Sequence, residues 1–344
     1  MTATYHRYNL HFKVPSGTSR GVLTSKETWF LKLSSNHKVG LGECGMFRGL
    51  SADDRPDYET TLQWVCQNIH WGLEALLNEL MEFPSIQFGL EIAFKSLESQ
   101  DGFELFPSEF TQGKAGIPIN GLIWMGDKAY MNQQIEDKID AGFNCIKMKI
   151  GAIDFDSEYA LLKSIRKEFS DEEIVLRVDA NGAFSPKEAL DKLKKLAELE
   201  IHSIEQPIKA GQLDAMARLC EETPLPIALD EELIGVFHLQ KKKELLETIK
   251  PQYLILKPTL VGGFRGSQDW IHLANAQDCG WWVTSALESN VGLNAIAQWT
   301  YLLQNPLPQG LGTGGLFTNN FNCPLQVKSG NLQYIPELDW DFNL

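Results

Sequence analysis

Eight short apolar runs recur through the last two thirds of this chain, at 117–123, 145–150, 174–179, 201–206, 225–230, 252–257, 281–286 and 307–312. Their spacing, roughly 25–30 residues, is what one strand, one helix and two short loops consume in a parallel β/α unit. The intervening stretches carry helix signals. Ser185-Pro186-Lys187-Glu188 offers a capping Ser, a Pro at the first helical position and a Glu three residues on, leading into Leu190, Leu193 and Leu196. Met131, Ile135 and Ile139 share one face of a predicted helix over 127–141, which Gly142 ends. The repeat describes an α/β fold, a (β/α)8-type barrel spanning 113–315. An open doubly wound sheet is the competing architecture.

The first 112 residues follow another rhythm. Strands are expected at 5–14, 21–33 and 39–44, then two helices marked by Leu62, Val65, Ile69, Leu73, Leu76 and Leu80, and by Ile86, Leu90, Ala93 and Leu97. This is the pattern of a small α+β domain. The tail from 316 to 344 lacks a strong final helix and is expected to fold back on that domain.

The barrel strands carry charge where apolar residues belong. Lys147 and Lys149 flank Met148, so strand alternation sends both ammonium groups to one side. Asp179, Glu205, Asp230 and Lys257 end or nearly end successive runs, at intervals from Lys149 of 30, 26, 25 and 27 residues. One repeat per step brings all of them to the carboxyl-terminal rim, where barrel enzymes place their chemistry. Three carboxylates so close repel one another unless a cation neutralises them. A hard divalent ion with oxygen ligands does so, and an octahedral Mg²⁺ keeps positions for water and substrate. Zinc is disfavoured because no His or Cys shares these strand ends, and His202 reads as structural. A metal between two lysines suits proton removal next to a carboxylate, with Lys149 as base, Lys147 beside it and the metal holding the charge that develops.

The ordered set KMK (147–149), RVDANG (177–182), IEQP (204–207), ALDE (228–231) and LKP (256–258) resembles the enolase superfamily in its muconate-lactonizing branch. The segments PINGLIWMG (118–126), KPTLVGG (257–263), SALESNVGL (285–293) and QGLGTG (309–314) are similar to the o-succinylbenzoate synthase family, dehydratases of menaquinone biosynthesis. The resemblance implies Asp179, Glu205 and Asp230 as ligands of one Mg²⁺, with Mn²⁺ a workable substitute. It implies Lys149 as the base and Lys257 as the electrostatic stabiliser on the opposite face. Arg177, Asn181, Ser285, Gly310 and Gly312 are then expected to contact substrate. The resemblance also makes the α+β domain, completed by the tail, a cap over the barrel, whose loops 16–21 and 46–51 would close over the site, with Arg20 and Arg48 available to a substrate carboxylate.

Related enzymes with the same lysines and carboxylates racemise N-acylamino acids or epimerise dipeptides, and a non-catalytic acid-binding barrel is the alternative from another class. A dipeptide epimerase is expected to carry an acidic DxD near the seventh and eighth strands, where this chain reads SALES and GLGTG. A net charge of −14 without a long basic tract argues against nucleic acid. No run approaches the ~18–20 apolar residues of a membrane span, and the opening segment does not read as a secretory leader. Six scattered cysteines without a CxxC pair suit reduced thiols in a cytoplasmic protein acting on a small carboxylate. Oligomeric state is left open by the sequence.

Overall fold

A computed structural model describes residues 1–18, 21–124, 126–151 and 153–342. Three long strands, β1 (Thr2–Thr18), β2 (Gly21–Ser35) and β3 (Lys38–Cys44), form an antiparallel sheet in that order. Alternation divides the middle strand between two surroundings. Trp29, Leu31 and Leu33 face the helices of the cap, packing with Leu62, Val65, Ile86, Leu90 and Ala93. Phe30 faces the other way and packs with Leu41 of β3, Val291 of the barrel and Phe321 of the tail.

The first predicted helix is broken in two. Tyr58–Asn68 runs through a 3₁₀ turn at Ile69–Trp71, and a second helix follows at Leu73–Glu79. Gly72 between them takes φ 82° and ψ 166°, a conformation that costs glycine little and interrupts the helical ladder. Helix Pro84–Glu98 then lies on β3 with backbone nearly touching backbone. A Cβ on Gly42 would stand 1.9 Å from the Gly89 carbonyl oxygen, and one on Gly89 would stand 2.2 Å from Cys44 Sγ.

The run at 117–123 serves two sheets. Its first part, β4 (Gly116–Pro118), pairs with the tail hairpin, whereas β5 (Gly121–Ile123) opens a parallel sheet. That sheet continues through β6 (Cys145–Lys149), β7 (Val175–Asp179), β8 (Ser203–Glu205), β9 (Ile227–Leu229), β10 (Tyr253–Leu256) and β11 (Gly280–Val283), each beside the next. The eighth predicted strand is cut to two residues. Gln309 bridges Ile119 and Gly310 bridges Thr284, both in parallel sense, so this pair joins the two edges of the seven-stranded sheet. The Gln309 side chain reinforces the join by accepting from Val283 N at 2.7 Å.

Outward residues such as Ile146, Met148, Leu176, Val178, Ile204, Leu229, Leu254 and Leu256 pack in the main core. Ala228, Ile255 and Trp282 fill the barrel interior. The helix after β5 spans Lys128–Asp140, with Asp127 capping it by accepting from Tyr130 N at 2.9 Å. The helix expected from Pro186 begins at Ala189. Glu188 makes one half of the foreseen capping box, accepting from Ser185 N at 3.3 Å, but a turn precedes the helix.

In the tail, Lys13 N donates to Leu316 O and Thr318 N to His11 O, which tie 316–318 to β1. Strands β12 (Leu325–Lys328) and β13 (Asn331–Tyr334) form the hairpin that receives β4. No helix among the described residues is long and apolar enough to cross a membrane.

The packing of β3 on helix Pro84–Glu98 is directly testable. Overpacking costs typically ~1–3 kcal/mol, so Gly42→Ala is expected to lower Tm by several degrees in a thermal melt. An unchanged Tm would show that the helix can move off the strand freely.

Candidate active site

The parallel register sets Lys149 beside Asp179 and Asp179 beside Glu205, and Asp230 follows directly on β9. Lys257 follows β10 and opens the short helix Pro258–Val261. Six charged side chains therefore meet at the carboxyl-terminal end of the sheet. Lys147 Nζ contacts Glu205 Oε2 and lies 3.1 Å from Asp179 Oδ2. Lys149 Nζ is 3.0 Å from Asp179 Oδ2 and donates to Asn181 Oδ1 at 2.7 Å. Lys257 Nζ contacts Asp230 Oδ2 and stands 3.8 Å from Glu205 Oε1.

These side chains are almost wholly buried, with Asp179, Glu205 and Asp230 at most 3% exposed. Burial pushes the Glu205 carboxyl up to about 7, and Asp179 repels it further. Asp230 is also raised, chiefly by burial, against the pull of Lys257. Asp179 moves the other way: burial opposes its ionisation, but Lys147, Lys149 and Lys257 together hold it below the usual carboxylate range. Burial works against the charge on Lys147 and Lys257 too, yet the facing carboxylates win and both are raised.

The donor set fits a hard divalent ion. Three buried carboxylates stand on adjacent strands, and Glu205 Oε1 has no hydrogen-bond partner. Among the described residues no three His, Cys, Asp or Glu side chains already converge on one point, because the ammonium groups of Lys147 and Lys257 lie between the acids.

A second layer holds these acids. Gln206, fully buried with φ 41°, donates to Glu232 Oε2 at 2.9 Å and accepts from Asp230 N at 3.2 Å. Asn181, also in the left-handed region at φ 43°, donates to Glu231 Oε1 at 3.0 Å.

Beside the charged group opens a cleft of about 150 Å³. Lys147, Lys149, Asp179, Asn181 and Lys257 are among its lining residues, and Glu205 and Asp230 are in contact with the lining lysines Lys147 and Lys257. Ser285, Gly310 and Gly312 line the same cleft. The Ser285 hydroxyl is committed to Glu288, donating to Oε2 at 2.6 Å.

Two expectations need correction. Arg177 shares the interior face with Asp179 but sits two residues deeper, outside the cleft lining. Its guanidinium lies 3.9 Å over the Trp282 ring and donates to Pro308 O at 2.7 Å, inside the barrel. Arg48 does not line the cleft either. Its guanidinium is half-exposed and paired with Glu27 and Asp54, each at 2.7 Å. Arg20 lies outside the described residues. His202 stacks on Tyr253 and bonds Ser203, the structural role expected of it.

Phe47, Leu50, Asn120, Trp124, Thr313 and Leu316 also line the cleft and were not singled out. Phe47 and Leu50 belong to loop 46–51, and Trp124 to the segment PINGLIWMG, so position in those segments was the available signal. Glu288 was missed although it lies in SALESNVGL.

Comparison with known proteins agrees with this geometry. The family described as "Enolase C-terminal domain-like" matches residues 130–336. The o-succinylbenzoate synthase of Desulfotalea psychrophila is 46% identical, with 96% of this chain and 98% of that protein covered. A crystal structure of MenC from the same organism superposes with a TM-score of 0.86 at 44% identity, covering 97% of this chain and 99% of that one. The N-succinylamino acid racemase of Thermus thermophilus is 34% identical over 46% of this chain and 40% of that protein. A barrel with its strand-end acids and lysines, a family match over more than half the chain and a relative similar along nearly all of it lead to one conclusion: the chain is an enzyme fold of the enolase superfamily and belongs to the o-succinylbenzoate synthase family.

Proposed function

We propose that this chain dehydrates 2-succinyl-6-hydroxy-2,4-cyclohexadiene-1-carboxylate to 2-succinylbenzoate, a step of menaquinone biosynthesis, in the cytoplasm. The observation that carries the reading is the sharing of one cleft by Lys149, Asp179 and Lys257. Asp179, Glu205 and Asp230 would hold a single Mg²⁺, for which Mn²⁺ would substitute. When bound, that ion lends positive charge to the substrate carboxylate, whose α-hydrogen is otherwise a very weak acid.

The chain's own residues do the rest. Lys149 in its neutral form takes the α-proton onto Nζ. Lys257, across the cleft, holds a positive charge beside the enediolate as negative charge develops. Lys149 then returns its proton to the ring hydroxyl, which departs as water from the same face, and the ring becomes aromatic. Atoms balance: one C–H and one C–O bond break, one ring double bond forms, and water leaves. Asn181 orients Lys149, since its Oδ1 accepts from Nζ while its amide is anchored on Glu231. Ser285, Gly310, Gly312, Phe47 and Trp124 give the cleft its shape for the ring and the succinyl arm.

The partial match to a racemase sustains a second reading, because two lysines flanking one carbon also permit a 1,1-proton transfer. A panel of N-succinylamino acids assayed beside the cyclohexadiene substrate separates the two, the dehydration being expected to show the higher kcat/KM.

Three outcomes are expected. Lys149→Ala should keep its circular-dichroism spectrum and lose on the order of 10³-fold in kcat by ultraviolet assay, the scale of a positioned general base; normal turnover would remove Lys149 from the mechanism. Asp179→Asn should abolish the response of rate to added Mg²⁺. Chelation with EDTA should silence the wild type and Mg²⁺ or Mn²⁺ restore it; full activity in EDTA would rule out the metal.

A further inference from the structure

The face of β2 that looks away from the cap helices carries Lys26 and Thr28 as well as Phe30, and both polar residues are buried. An ammonium in such a place needs partners, because an unpaired buried charge is very costly. Lys26 Nζ donates to Gly45 O at 3.1 Å. Burial lowers the affinity of Lys26 for its proton, and the facing carboxylates of Glu43, from β3, and Glu288, from the barrel, counter that effect. Both glutamates are fully buried.

Each glutamate is tied into a different part of the molecule. Glu43 accepts from Thr28 Oγ1 at 2.8 Å within the cap, and from Ser289 N at 2.9 Å and Gly292 N at 2.8 Å at the start of barrel helix Asn290–Leu302. Glu288 accepts from Ser285 Oγ, from Ala286 N at 2.8 Å and from Thr259 Oγ1, two residues beyond Lys257. Gly45 is wedged among these groups: a Cβ there would stand 3.3 Å from Glu288 Cγ, 3.3 Å from Thr259 Cγ2 and 3.5 Å from Lys26 Nζ. Immediately after Gly45 comes the loop whose Phe47 and Leu50 line the cleft. That loop is closed on itself by Phe47 N donating to Ser51 Oγ at 2.8 Å and Ser51 N to Phe47 O at 2.9 Å.

We propose that Lys26 is a positioning residue for substrate binding: its buried ammonium, donating to Gly45 O in the wedge beside Glu288 and Thr259 and standing 6.0 Å from the centre of the Phe47 ring, fixes the root of the 46–51 loop against the segment that carries Ser285. It touches neither the cleft nor the reacting groups, so its effect is on how Phe47, Leu50 and Ser285 are presented together. Substrate affinity depends on that presentation, whereas proton transfer by Lys149 does not. The kinetic half of this inference rests on the dehydratase reading; the structural half does not.

The test uses the full-length, metal-loaded enzyme and three variants. Lys26→Met keeps the length of the side chain and removes its charge. Lys26→Arg restores the charge. Gly45→Ala leaves all charges in place and inserts a methyl group into the wedge. Lys26→Met and Gly45→Ala are each expected to raise KM about tenfold with kcat changed less than about threefold, and Lys26→Arg to recover most of the loss in KM. Hydrogen exchange at Phe47 and Ser51 is expected to quicken about tenfold in Lys26→Met and in Gly45→Ala, without acceleration in β6 to β10. Unchanged KM and unchanged exchange in both would overturn the proposal, as would a fall in kcat at constant KM. A wild type inactive toward the cyclohexadiene acid would sink the dehydratase reading alone, since exchange still tests the anchor. If Lys26→Met fails to fold, Gly45→Ala carries the same comparison.

Discussion

Three carboxylates buried on neighbouring strands are the constraint around which this protein is arranged. Their mutual repulsion in a poorly solvated interior is tolerable only with positive charge among them. Lysine ammonium groups meet that need in the structure, Lys147 between Asp179 and Glu205 and Lys257 between Glu205 and Asp230. The same carboxylates keep Lys147 and Lys257 protonated.

Around this centre the polar groups form successive layers, each held by the next. Gln206 binds the backbone of Asp230 and the carboxylate of Glu232, and Asn181 links Lys149 to Glu231. Two cap glutamates extend the pattern to the cap–barrel contact. Glu43 accepts from the first amides of helix Asn290–Leu302, and Glu91 from Phe264 N and Arg265 N at the start of helix Gly263–Asn275. Carboxylates at helix amino termini meet both the unpaired amides and the helix dipole. The cap is thereby docked through directed bonds as well as apolar contact, which sets the orientation of its loops toward the cleft.

The barrel and the charged centre were legible because both are periodic. A strand, a helix and two loops repeat at nearly constant length, so Lys149, Asp179, Glu205, Asp230 and Lys257 announced themselves as charges in phase with that repeat. What has no period was not legible. Arg177 obeys the alternation rule, yet depth in the barrel, which decided its role, is set by tilt and by the placement of Trp282 and Pro308. Arg48 lies on the expected loop, but Glu27 from β2 reaches it first. Glu288 and Lys26 are 262 positions apart, and both flank Gly45 only because the cap packs against the barrel. The eighth strand failed for a local reason: its apolar character was too slight to sustain a ladder beyond Gln309 and Gly310.

That abbreviated stave gives the barrel a seam. Seven walls of the cavity are fixed by continuous ladders, whereas the eighth hangs on two bridges and on the Gln309 amide. Insertions or new side chains after Gly310 would disturb few backbone pairings, although Gly312 and Thr313 there border the cavity directly. The seam is thus where the space beside Lys149 and Asp179 could be reshaped with the least loss of backbone pairing.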